Sequence, residues 1–93
     1  MCTFHMKSAL EQNKNFVAAG NALYLSIKET MSNHDSLSVD MEGVTSLPSI
    51  FLNASIGRII DEVGKEKLMS SVGFVKITKQ QAMRLRDYMQ RYN

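Results

Sequence analysis

Five side chains have the type or the neighbours to suggest chemistry: Cys2, His5, His34, Asp40 and Ser49. A thiol acts as a nucleophile only where a base or cation holds it as thiolate, and Cys2, beside the N-terminus, has neither in its sequence neighbourhood. It reads as a passive thiol. As the only cysteine it also rules out an internal disulfide and a tetrahedral thiolate site. His5 and His34 lie far apart, and neither has an acid or a second histidine at metal-ligand spacing on a helix, so no metal is expected. His34 with Asp35 falls in a predicted turn and reads as a solvent-facing pair. The five glycines are scattered and form no GxGxxG or GxxxxGK loop. With no nucleophile and base in sight, the chain is expected to be no enzyme and to need no cofactor.

Asp40 and Ser49 say more. Asp40 stands near the carboxyl end of a predicted strand, and the crevice outside such ends is where α/β folds place their ligands. Its plainer role is to accept a hydrogen bond from the backbone of the turn between Glu42 and Ser46, which contains Gly43. Ser49 follows Pro48 at a predicted helix start. As an N-cap its hydroxyl would satisfy an otherwise unpaired amide, contributing about 1 kcal/mol. The same position suits a phosphate or other anion, which would meet free amides and the positive end of the helix dipole.

The elements that must hold these residues follow from apolar spacing. Cys2 to Leu10 alternates loosely through Phe4 and Met6, which predicts an edge strand. Glu11 to Asn15 reads as a loop, with Phe16 and Val17 as a further short strand or anchor. Leu23, Ile27 and Met31, four apart, predict a first helix over 21–32. Leu37, Val39 and Met41 alternate with polar residues as a strand. Leu52, Ile56, Ile59, Ile60 and Val63 form the stripe of a second helix that starts at Ser49 and ends at Gly64. A short turn over 65–71 leads to a strand over 74–77. Thr78 with Gln81 is a capping box, and Ala82, Leu85, Met89 and Tyr92 follow at helical spacing.

This order predicts an α/β fold: a small mixed or mostly parallel sheet of about three to five strands packed against about three helices. The expected core is Leu23, Ile27, Val39, Leu52, Ile56, Ile59, Ile60, Val75, Ile77, Leu85 and Met89.

At 93 residues one domain spanning 1–93 is expected, and 44% apolar with 22% charged residues is ordinary globular composition. A net charge of +2 does not argue for nucleic acid. The basic stretch from Lys76 to Arg91 lacks the aromatic stacking residues that such modules add, and reads as a solvated helix face. No apolar run approaches the ~18 residues of a membrane span, and with the single cysteine this predicts a cytoplasmic protein.

The stretch VDMEGVTSLPSIFLNASIGRIIDEVG, from Val39 to Gly64, resembles the central signature of the STAS-like family. There a strand ending in Asp leads through EGV to a helix start. GFVKIT from Gly73 to Thr78, with the helix after it, is similar to that family's last strand and helix; the first residues match poorly. The family is similar to the anti-sigma factor antagonists, which dock on a kinase-like anti-sigma partner and are switched by serine phosphorylation. The resemblance implies a non-enzymatic regulatory module whose partner is a histidine-kinase-like ATPase or another anti-sigma type regulator. Ser49 aligns with the phosphorylated serine. Asp40 and Gly43 match the strand end and its turn, and Phe51 and Asn53 belong to the implied surface. Where the antagonists have an Asp-Ser-Ser-Gly run, this chain has Pro48, Ser49, Ile50 and Phe51, without the acid and the glycine. A different class of function also fits: a small-ligand or nucleotide sensor using the crevice near Asp40 and Ser49.

Overall fold

The computed structural model describes residues 2–13, 15–44 and 47–91. Its sheet has three parallel strands, β1 (Cys2–His5), β2 (Leu37–Asp40) and β3 (Val72–Val75), in that spatial order. Parallel neighbours need long crossovers, and helices supply them. α1 (Met6–Gln12) and α2 (Phe16–Ser32) join β1 to β2. α3 (Ser49–Ala54), α4 (Ile56–Val63) and α5 (Lys65–Ser71) join β2 to β3, and α6 (Lys79–Arg91) follows.

The register sets Leu37 beside Cys2 and Val72, and Val39 beside Phe4 and Phe74. Residues paired across a parallel ladder share a face, so these six line one side of the sheet. Leu37, Val39 and Val72 are buried there, with Phe4 and Phe74 packed against the core. The other face presents Thr3, His5, Ser38, Asp40, Gly73 and Val75, none of them buried. Most parallel sheets are covered on both faces. Here the second face, of mostly small and polar residues, stays open.

The segment expected to be a strand as far as Leu10 turns helical at Met6. Met6, Ala9 and Leu10 meet the core at spacings of three and four, a helical pattern that fits the same residues as the alternation does. Glu11 and Gln12 therefore belong to α1 and not to a loop. Phe16 and Val17 are not a strand either. Asn15, whose side chain accepts a hydrogen bond from the Ala18 amide at 2.8 Å, caps α2, which starts at Phe16, five residues ahead of the predicted start.

The single helix expected from Ser49 to Gly64 is two. Buried Ser55 donates its hydroxyl to the Phe51 carbonyl at 2.9 Å, the back-bonding that bends helices, and its backbone departs from helical geometry (φ −124°, ψ −81°). The stripe survives the break, with Leu52, Ile56, Ile59 and Ile60 all buried. The turn over 65–71 is a full helix anchored by buried Leu68. The result is six helical segments among the described residues where about three were expected.

β3 begins two residues earlier than predicted and stops at Val75, because Lys76 adopts left-handed geometry (φ +54°). Val75 falls on the open face of the sheet, is 41% exposed and leaves the core, while Ile77 and Met89 pack against the core only partly buried. The remaining predicted core residues are buried. The capping box forms: Gln81 donates its amide to Thr78 Oγ1 at 3.1 Å and accepts from the Thr78 amide at 3.0 Å. Gln81, not Ala82, is the buried residue of that turn, and its side chain donates to the Val44 carbonyl. Tyr92, predicted on the same stripe, lies outside the described residues.

Candidate functional site

The carboxyl ends of the three strands converge on one carboxylate. Asp40 ends β2, its side chain only 12% exposed; Oδ1 accepts from the Glu42 amide at 2.9 Å. Its Oδ2 lies 3.4 Å from Nδ1 of His5, the last residue of β1, and 3.8 Å from Nζ of Lys76, just past β3. Lys76 also meets Glu42 at 3.1 Å. The hydrogen bond from the Glu42 amide outweighs the opposing effect of burial and, with smaller contributions from Lys76 and His5, holds the Asp40 carboxyl below the usual aspartate range. Glu42 and Asp40 raise Lys76 in return.

Beside this cluster is a cleft of about 290 Å³ lined by His5, Lys7, Ser8, Asp40, Glu42 and Gly43. Gly43 has φ +82°, a backbone conformation that favours glycine; a Cβ there would meet only the flexible end of the Lys7 side chain, which can move aside. Part of the predicted turn, Thr45 and Ser46, lies outside the described residues. No group of three or more His, Cys, Asp or Glu among the described residues is placed to hold a metal ion.

A pH dependence follows from Asp40. A carboxyl whose folded pKa is depressed stabilises the fold above its unfolded value of 3.8, and that contribution is lost as pH falls through the lower folded value. Urea unfolding at stepped pH is therefore expected to show wild type losing stability below pH 3.8 relative to Asp40→Asn, with the two curves parallel above it. Curves parallel throughout would mean that the cluster does not act on Asp40.

The start of α3 forms a second, separate constellation. Pro48, not Ser49, occupies the cap position, and no side chain caps the helix; the Phe51 and Leu52 amides donate to the Pro48 carbonyl instead. Ser49 is therefore not the N-cap that the sequence suggested. Its exposed hydroxyl accepts from Arg84 Nη2 at 2.8 Å, while Arg84 Nε donates to the Leu47 carbonyl at 3.2 Å. One turn further along, Tyr88 donates its hydroxyl to Asn53 Oδ1 at 2.6 Å. Two residues four apart on α6 thus hold two residues four apart on α3. Between them Ile50 is 54% exposed.

The residues that the sequence assigned to an interaction or ligand surface, Asp40, Gly43, Ser49, Phe51 and Asn53, consequently fall into three places. Asp40 and Gly43 lie at the strand-end cleft, and Ser49 and Asn53 on the seam between α3 and α6. Phe51 is 2% exposed, so it is a core residue and not part of any docking surface. Ser49 is not among the described residues that line the cleft at Asp40. Lys7, Lys76, Arg84 and Tyr88 were not anticipated as site residues, and His5, read from sequence only as no metal ligand, joins Asp40 here. Arg84 and Tyr88 do stand at helical spacing, but on a basic stretch whose plainest reading is a solvated face.

Parallel strands covered by helices on one face, with a polar cluster at their carboxyl ends, define a small α/β fold. Residues 19–82, more than half of the chain, match the family model described as "STAS-like domain of unknown function (DUF4325)", and the chain belongs to that family. No curated protein and no solved structure gives a match. No helix among the described residues is long and apolar enough to cross a membrane.

Proposed function

We propose that this chain is a regulatory protein-interaction module that docks on a kinase-like ATPase or a comparable anti-sigma type regulator through the start of α3, and that Ser49 switches the contact. The observation carrying this reading is the Ser49 hydroxyl itself: exposed, without a capping duty, and held by the guanidinium of Arg84 beside exposed Ile50. Arg is among the residues enriched at interface centres, and Ile50 beside Arg84 gives a partner an apolar contact next to it. A phosphate on Ser49 would stand against Arg84, where guanidinium and phosphate form charge-assisted, bidentate hydrogen bonds. It would also put two negative charges into the docking surface, which a partner must desolvate.

The test is affinity purification from the native host with wild type and Ile50→Glu as paired baits. A kinase-type ATPase or anti-sigma type regulator is expected with wild type and reduced by about tenfold or more with Ile50→Glu, since a charge buried in an interface core costs several kcal/mol. Equal recovery on both baits would remove the start of α3 from the interface.

A further inference from the structure

Between α5, β3 and α6 lies an open groove of about 410 Å³ whose floor is apolar: Met69, Phe74, Ile77, Leu85 and Met89. Met69 is 62% exposed. The charged residues lining the groove are Lys65 and Arg86, both cationic, and neither makes an ion pair among the described residues. The wall contributed by α6 runs from Ala82 to Gln90, about 12 Å along the helix at 1.5 Å per residue. The groove is therefore open, about 12 Å long on its α6 side, and lined by apolar residues with two cations.

We infer that this groove is a second docking site, and that it takes an amphipathic helix of a partner protein bearing acidic residues along its flanks. Two turns of helix match the length of the α6 wall, and apolar anchors at i, i+3, i+4 and i+7 match a floor of this shape. The methionines add adaptability, since unbranched thioether side chains repack around different anchors. The sign of the flanking charge follows from Lys65 and Arg86, which an acidic helix would satisfy and a basic one would oppose. The groove shares no lining residue with the Ser49 surface, so each site stands or falls alone.

The experiment uses the full chain and a fluorescent synthetic peptide of about 16 residues, with Leu at the anchor positions and Glu on the flanks, read by fluorescence anisotropy. Saturable binding is expected, about tenfold or more tighter than to the same peptide with Lys in place of Glu, and weakening as salt rises. Met69→Glu and Arg86→Glu should each weaken it by about tenfold or more, with the melting temperature unchanged because Met69 and Arg86 are exposed. Absent binding, equal binding of both peptides, or binding indifferent to both substitutions would overturn the inference. So would two reassignments: a concentration-dependent dimer abolished by Met69→Glu, which makes the occupant a second copy, or co-sedimentation with phosphatidylserine vesicles abolished by it, which makes the face a lipid surface.

Discussion

Phe51→Ala is expected to remove about 3–5 kcal/mol of stability, the cost of deleting a fully buried aromatic side chain and leaving a cavity. Phe51 is 2% exposed and belongs to the same buried cluster as Met6, Leu23, Val44 and Leu52. Its carbonyl also accepts the Ser55 hydroxyl at the helix break. For a chain of 93 residues such a loss is a large share of a total on the order of 5–15 kcal/mol, so the variant is expected to be partly unfolded at room temperature in mild denaturant. Urea melts followed by circular dichroism measure it directly. A loss below ~1 kcal/mol would return Phe51 to the surface that the family resemblance implied for it.

Gly20→Ala should destabilise by roughly 1–3 kcal/mol, although alanine is the better helix former by about 1 kcal/mol. Gly20 lies inside α2 at its approach to α3, where a Cβ would come within 2.7 Å of Ala54 Cβ and 2.9 Å of the Phe51 carbonyl oxygen. The second neighbour is backbone and cannot rotate aside, so α3 must move away from α2. The strain term therefore outweighs the propensity gain. Gly73→Ala is the matched control: nothing lies within 4 Å of a Cβ there, and the change is expected to be neutral or stabilising. Because the displaced element carries Ser49 and Ile50, Gly20→Ala should also disturb the docking surface. Thermal melts in which Gly20→Ala is no less stable than wild type would mean that the two helices are not held in contact at this point.

Where one pattern dominated, the sequence was enough. The alternation of Leu37, Val39 and Met41 marks β2, the isoleucine stripe marks α4, and Thr78 with Gln81 marks the start of α6. Boundaries failed where two periods fit the same residues. Phe4 and Met6 alternate as a strand would, yet Met6, Ala9 and Leu10 are also helically spaced, and burial against α2 and the core decides for the helix. The run Phe74 to Ile77 looks like the strand centre, but the left-handed geometry of Lys76 ends the strand inside it, and residue type does not announce that conformation. The helix break at Ser55 depends on a hydroxyl choosing the carbonyl four residues back, one of several partners open to it in sequence.

The sites were less legible because they are made by tertiary structure. Asp40 could be placed at a strand end from sequence alone. His5 and Lys76 reach it only because three strands align in parallel register, and their separation along the chain carries no trace of that. Arg84 reaches Ser49 across a gap of 35 residues, and without α6 brought within side-chain reach of α3 the serine had no better partner than its own helix.

Docking through the start of α3 is tested most directly by calorimetric titration of the co-purified partner with wild type and Ser49→Asp, each checked by thermal melt. An aspartate at this exposed position faces Arg84, and such a surface pair contributes at most about 1 kcal/mol, so the melting temperature should be unchanged or slightly raised. Affinity for the partner should fall by about tenfold or more, because the new carboxylate must be desolvated in the interface. Equal affinity of the two proteins, with equal melting temperatures, would contradict a switch at Ser49 and leave its hydroxyl as no more than a tie between α3 and α6.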